Sequence, residues 1–129
     1  MSQTALNTQI GGSHYKNMAT QPVELIAMLK LDFIQGSIVK YISRDKEGKR
    51  LQDLQKAKHF CELGIIYGGF EKQVNISSVK CASLSDHIRN YVHSNNLHAN
   101  SYDVILFVAH NDYKKAAIII NNLIEELSN

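Results

Sequence analysis

Residues 36–58 read GSIVKYISRDKEGKRLQDLQKAK. Seven cations (Lys40, Arg44, Lys46, Lys49, Arg50, Lys56, Lys58) stand in this stretch, yet apolar residues recur through it at helical spacing. Ile34, Ile38 and Ile42 lie one turn apart, with Tyr41 beside them, so they form one stripe of a helix. Asp32 is placed to cap that helix. KEGK interrupts the pattern, and Leu51, Leu54, Ala57, Cys61 and Ile65 then mark a second helix from about Arg50 to Tyr67, closed by Gly68-Gly69. Two helices joined by a short glycine turn become antiparallel neighbours. An αα-hairpin over about 33–67 is therefore the organising element.

Outward from it, Pro22 suits the first position of a shorter helix that carries Val23, Ile26 and Ala27 and ends near Leu31. Residues 1–20 show no periodicity and contain Gly11-Gly12, which predicts a flexible tail (1–12) running into a loop. The segment 68–82 is a connector. Ser83 or Ser85 can cap a helix bearing Leu84, Ile88, Tyr91 and Val92. SYDVILFVAH (101–110) has a β-branched run but few strands to pair with, which favours a short helix. From Asp112 to Leu127, Tyr113, Ala116, Ala117, Ile120, Leu123, Ile124 and Leu127 define the clearest amphipathic helix, and Ile118 and Ile119 widen its apolar face. The sequence thus predicts a single mainly α domain over 1–129, a small helical bundle built around the hairpin, with room for minor β content in the C-terminal half.

At 129 residues and 44% hydrophobic content the chain can bury a core. No apolar run is long enough to span a bilayer and no signal peptide is legible, so the expected compartment is the cytoplasm, with no membrane partner. Cys61 and Cys81 have no metal-ligand spacing and read as reduced thiols. His87, His93 and His98 scatter around a helix, and no phosphate loop, dinucleotide fingerprint or HExxH occurs, so no metal site is assigned. The charge is uneven. Residues 36–60 hold those seven cations against three anions (Asp45, Glu47, Asp53), whereas 84–129 hold three (Arg89, Lys114, Lys115) against five (Asp86, Asp103, Asp112, Glu125, Glu126). Such asymmetry predicts an anionic partner for the first half.

Spacing sharpens this. Ser37, Lys40 and Arg44 share a face of the first hairpin helix, and Asp53, Lys56 and Phe60 share one of the second. Antiparallel packing brings Arg44 towards Asp53 and Lys40 towards Lys56. Two readings stay open at this level. Asp53 pairs with a cation and the rest is a solvated face, or the cations that one carboxylate cannot neutralise hold a phosphate, Arg by bidentate donors and Lys by point charge.

Ser13-His14-Tyr15, QPVELI (21–26) and LDFIQGSIVKYISRDKEGKRLQDLQKAKHF (31–60) resemble the small phage family of SaV-like proteins, described as nucleotide kinases. The resemblance covers about residues 13–66, half of the chain. It runs through His14, Tyr15, Gly36, Lys40, Tyr41, Arg44, Gly48, Asp53, Leu54, Lys56 and Ala57. Ser37 departs from the family's usual Asn, His59-Phe60 from its aromatic pair, and Asp45 and Glu47 make the stretch after Arg44 more acidic.

What the resemblance implies is nucleotide binding, by a phage protein in its host's cytoplasm, through His14, Tyr15, Ser37, Lys40, Tyr41, Arg44 and Lys56. It further implies a nucleoside monophosphate kinase without a phosphate loop, acting in deoxynucleotide metabolism. Its catalytic residues would be Arg44, Lys40 and Asp53, with magnesium entering alongside ATP. The wide apolar face of the last helix adds a homo-oligomer to the expectations. A nucleotide binder without turnover, which sequesters a host nucleotide signal, is the alternative. A basic nucleic-acid-binding accessory ranks last, because the cations cluster at one hairpin end instead of along an extended face.

Overall fold

The computed structural model describes residues 2–8, 18–44, 48–68 and 81–128. Among them stand seven helices and no strand: α1 (Ser2–Leu6), α2 (Pro22–Leu29), α3 (Phe33–Ser43), α4 (Arg50–Tyr67), α5 (Cys81–Ser94), α6 (Ala99–Ala109) and α7 (Tyr113–Ser128). The mainly α reading is right, and the allowance for β structure is unused among the described residues.

The hairpin forms for local reasons that can be named. Asp32 Oδ1 accepts from the Gln35 amide at 2.8 Å while Gln35 Oε1 accepts from the Asp32 amide at 2.9 Å. This reciprocal cap satisfies two donors that the start of α3 would otherwise leave unpaired. Gln35 is itself buried, and its Nε2 donates to Val108 O at 3.0 Å and Asn111 Oδ1 at 3.1 Å, which ties α3 to the end of α6. At the other end of α3, Arg50 Nη1 donates to Ile42 O at 3.1 Å and Arg44 O at 2.8 Å. One guanidinium thus serves the last carbonyls of α3 from the first residue of α4. Gly48 has φ +80°, a left-handed conformation that glycine adopts without strain.

α4 lies between α3 and α7. Its buried residues are Asp53, Leu54, Ala57, Cys61 and Gly64. Leu51 and Ile65, expected in the core, are exposed instead. The reason is the seam with α7: a Cβ on Gly64 would lie 2.5 Å from Tyr113 Cδ1, so the tyrosine ring occupies the room that a side chain would need. That approach turns the buried stripe toward Gly64 and leaves Leu51 and Ile65 on its margin. Burial also pushes the Cys61 thiol up to about 12, with the Glu62 charge adding to it. It raises the Tyr113 hydroxyl above its ordinary range as well, helped by the charges of Asp32 and Cys61.

Other boundaries differ from the sequence reading. Ser2–Leu6 is helical where a tail was expected, and Gln21 Nε2 donates to Leu6 O at its end. α2 stops at Leu29, two residues early, because Lys30 takes a left-handed cap with φ 56°. α5 starts at Cys81, so neither Ser83 nor Ser85 caps it. Ser85 Oγ instead meets Tyr102 Oη at 2.6 Å and Ser83 Oγ meets His87 Nε2 at 3.3 Å, hydroxyls engaged by side chains and not by a helix start. SYDVILFVAH falls in α6, whose N-cap His98 accepts from the Asn100 amide at 3.1 Å. On α7, Tyr113, Ala116, Ile120 and Leu123 are buried, but Leu127 is exposed, as is Ile118. Among the described residues no helix is long and apolar enough to cross a membrane.

Candidate functional site

The hairpin brings its predicted residues together around one ring. Lys40 Nζ lies 5.2 Å from the centroid of Tyr41, Lys56 Nζ 5.3 Å and Arg44 Cζ 5.9 Å. Lys40 comes from α3, Arg44 from the cap just past its end and Lys56 from α4, so the cluster exists only because the helices run antiparallel at this register. Like charges so close repel, and the quadrupole of the ring offsets part of that cost, about 0.5–1 kcal/mol per contact at an exposed site. Arg44 has a second engagement: its Nε stands 3.7 Å from Asp53 Oδ2. The Asp53 side chain is 3% exposed against 20% for Arg44, so the carboxylate sits beneath the cluster, in the first turn of α4 where the helix dipole favours a negative charge. Of the pairings inferred from spacing, Arg44 with Asp53 is present, and Lys40 and Lys56 each lie over the Tyr41 ring. Among the described residues neither lysine forms an ion pair.

An aromatic wall continues from the ring. Tyr41 stacks on Phe60 with centroids 6.0 Å apart and planes 20° apart, and Phe60 meets Phe33 edge-on at 5.8 Å. Phe33 is 78% exposed, an unusual place for a phenyl ring in a chain that had an apolar core to offer it. Phe33 was not among the residues singled out from the sequence. Its signal was available, since Phe33, Ser37 and Lys40 follow at i, i+4 and i+7 and so share one face of α3; Arg44, expected on that face, is the extended cap just past the helix end.

Beside this wall lies a cavity of about 460 Å³ between α2 and the first two turns of α3. Pro22, Val23, Ile26, Leu31, Phe33 and Gly36 give it an apolar lining, with Thr8, Gln21, Asp32, Ser37 and Lys40 as the polar groups. Gly36 matters here: a Cβ would stand 3.2 Å from Ile26 Cδ1, so the two helices approach closely at the cavity's back. Lys40 and Phe33 belong to both features. Ser37 opens on the cavity and is absent from the contacts of the Tyr41 cluster. His14 and Tyr15 lie outside the described residues, as do the turn residues 45–47 that include Lys46.

Chemically, the arrangement offers three cations for an anionic group, flat rings on which a planar group can stack, and an apolar recess next to both. Among the described residues no three His, Cys, Asp or Glu side chains gather as a metal-holding group.

Residues 10–62 match the model of a family described as a protein of unknown function (DUF3310). The matched stretch spans α2, α3 and the part of α4 that carries Asp53, Lys56 and Phe60, the elements that build the cluster. No curated protein and no solved structure matches the chain.

Proposed function

We propose that the protein binds a nucleotide, with its phosphates on Lys40, Arg44 and Lys56 and its base against the Tyr41–Phe60–Phe33 wall and the adjoining cavity. The observation that carries this is the convergence of three cations within 6 Å of the Tyr41 ring, one of which, Lys40, also lines an apolar recess. A solvated salt-bridge face has no need of that recess, and a purely apolar pocket has no need of the cations. Charge-assisted bonds to phosphate oxygens contribute about 1.5–3 kcal/mol each, so three supply about 4.5–9 kcal/mol, and stacking of the base adds to the roughly 8 kcal/mol that micromolar affinity requires.

The activity we assign to this site is phosphoryl transfer from ATP to a nucleoside monophosphate, in the host cytoplasm of a phage, as the resemblance to SaV-like proteins implies. Such transfer is chiefly positioning and charge neutralisation, which cations on two rigid helices provide. Lys40 and Arg44 would hold the transferring group, and Asp53 would hold Arg44 in place. ATP would bring magnesium with it. A binder without turnover is the second reading, and the position of Asp53 favours it: the carboxylate beside the cluster is buried against Arg44 instead of reaching solvent.

Incubation of the purified chain with ATP, magnesium and each deoxynucleoside monophosphate distinguishes the two. Diphosphate formation that Lys40→Ala and Lys56→Ala each lower at least about tenfold supports the kinase. Saturable binding without product supports the second reading. If wild type and both variants bind nucleotides equally weakly, the Tyr41 cluster is not a nucleotide site.

A further inference from the structure

A second cleft, of about 350 Å³, opens at the turn end of the hairpin, where the link between α5 and α6 and the last turn of α7 close over it. Arg44, Arg50, Asn96, His98, Ser101 and Glu126 supply its polar groups. Ser101 is fully buried, and its Oγ has no hydrogen-bond partner among the described residues. A hydroxyl buried in that way costs about 1–3 kcal/mol unless something accepts from it. In the first turn of a helix, the acceptor that the helix dipole favours is an anion.

The surroundings agree. Ser101 stands at the start of α6, so the positive end of that helix faces the cleft. His98 Nδ1 accepts from the Asn100 amide, which fixes the ring proton on Nε2 and makes that nitrogen a donor. Two guanidiniums, Arg44 and Arg50, also line the cleft. Among the described residues Glu126 is the one carboxylate in the lining, and it is exposed on α7. Arg44 belongs to both sites: it lies over the Tyr41 ring and also lines this cleft.

We infer that the cleft takes the phosphate of a second nucleotide, a nucleoside monophosphate, with Ser101 Oγ donating to one of its oxygens. The inference rests on the nucleotide reading above and extends it. One nucleotide presents its phosphates to the Tyr41 cluster, the other enters from the turn end, and Arg44 stands between them. A phosphoryl transfer between two nucleotides requires two such places and a cation shared by both.

Calorimetric titration of the full chain with each deoxynucleoside monophosphate, and separately with a non-hydrolysable ATP analogue, tests it. Ser101→Ala is expected to weaken monophosphate binding about tenfold or more and to leave the analogue unaffected. Its melting temperature should stay level or rise, because the unpartnered hydroxyl is gone. Lys56→Ala is expected to do the reverse, weakening the analogue and sparing the monophosphate. Unchanged monophosphate binding in Ser101→Ala overturns the second site, while the loss of analogue binding in Lys56→Ala would still stand for the first. Mutual displacement of the two ligands at one equivalent per chain also overturns it. A wild type that binds neither ligand overturns both proposals.

Discussion

α4 has two working faces, and they are built on opposite principles. Along its buried stripe run Ala57, Cys61 and Gly64, and at Gly64 the Tyr113 ring of α7 closes until no Cβ would fit. Toward α3 and solvent it presents Lys56 and Phe60 above the buried Asp53, with cations held beside a tyrosine ring and a phenyl ring left in view. The first face gains from excluding water, at about 25 cal/mol per Å² of apolar area removed from it. The second keeps charge and aromatic surface exposed and gains little by doing so. A helix that holds its chain together along one side is free to spend the other on a ligand.

The contrast breaks first at Arg44, which serves both purposes. Arg44→Ala should destabilise the fold by about 3 kcal/mol, because it strands the Asp53 carboxylate in a buried site. Arg44→Met combined with Asp53→Leu should recover most of that loss in chemical denaturation, yet neither variant should recover nucleotide binding. If Arg44→Ala unfolds at the denaturant midpoint of the wild type, the buried pair is not what holds Asp53 and the cluster is purely a surface feature. Next in size is Gly64→Ala. The added methyl meets the Tyr113 ring, an overpacking cost of about 3 kcal/mol, against roughly 1 kcal/mol gained in helix propensity. A net loss of about 2 kcal/mol with ligand affinity intact would place stability on the α7 seam. A variant as stable as wild type would show that the seam can open without cost.

How much of this the sequence disclosed follows the same division. The hairpin was legible because its evidence is local: a capping Asp32, a glycine at the turn, a 3.6-residue stripe, each within a few residues of its effect. α4 was legible to its end residues, Arg50 and Tyr67. The proximity of Arg44 to Asp53 followed from antiparallel register alone. What escaped was set by partners distant in the chain. Nothing near Leu51 or Ile65 says that a tyrosine 49 residues beyond Gly64 will turn the buried stripe away from them. Nothing near Ser85 says that its hydroxyl will meet Tyr102 and leave the cap to others. The cavity escaped for the same reason, since α2 supplies Pro22, Val23 and Ile26 to its wall. The cleft at Ser101 draws on α3, α4, α6 and α7 at once.

The dry seam also predicts a pH dependence. Cys61 has its thiol raised from 9.0 to about 12, and Tyr113 is raised too, both chiefly by burial. A folded-state pKa above the unfolded one means that the native chain holds its proton longer. The resulting stability is complete below about pH 9 and is lost as pH rises toward the folded value. From Cys61 alone the loss should reach roughly 1 kcal/mol by pH 10. Denaturant titrations at pH 8, 9 and 10 should show this fall, and Cys61→Ala should flatten part of it. A stability that holds level to pH 10 would mean that water reaches the thiol.

The smallest expected effect is the one that tests the exposed face most directly. Lys40 and Lys56 touch the Tyr41 ring but have no ion pair among the described residues, and both are exposed. Each contact with the ring contributes about 0.5–1 kcal/mol, and removing one lysine also relieves the repulsion it exerts on the other two cations. The two terms oppose each other, so Lys40→Ala and Lys56→Ala should each change unfolding free energy by no more than about 0.5 kcal/mol. The repulsion weakens in salt, so raising ionic strength should stabilise wild type more than either variant. A larger loss, or a wild type that salt leaves unchanged, would mean that the lysines brace the hairpin. Near-neutral variants together with the salt effect would mean that the wild-type chain tolerates clustered charge here, a tolerance that an arriving phosphate would convert into binding.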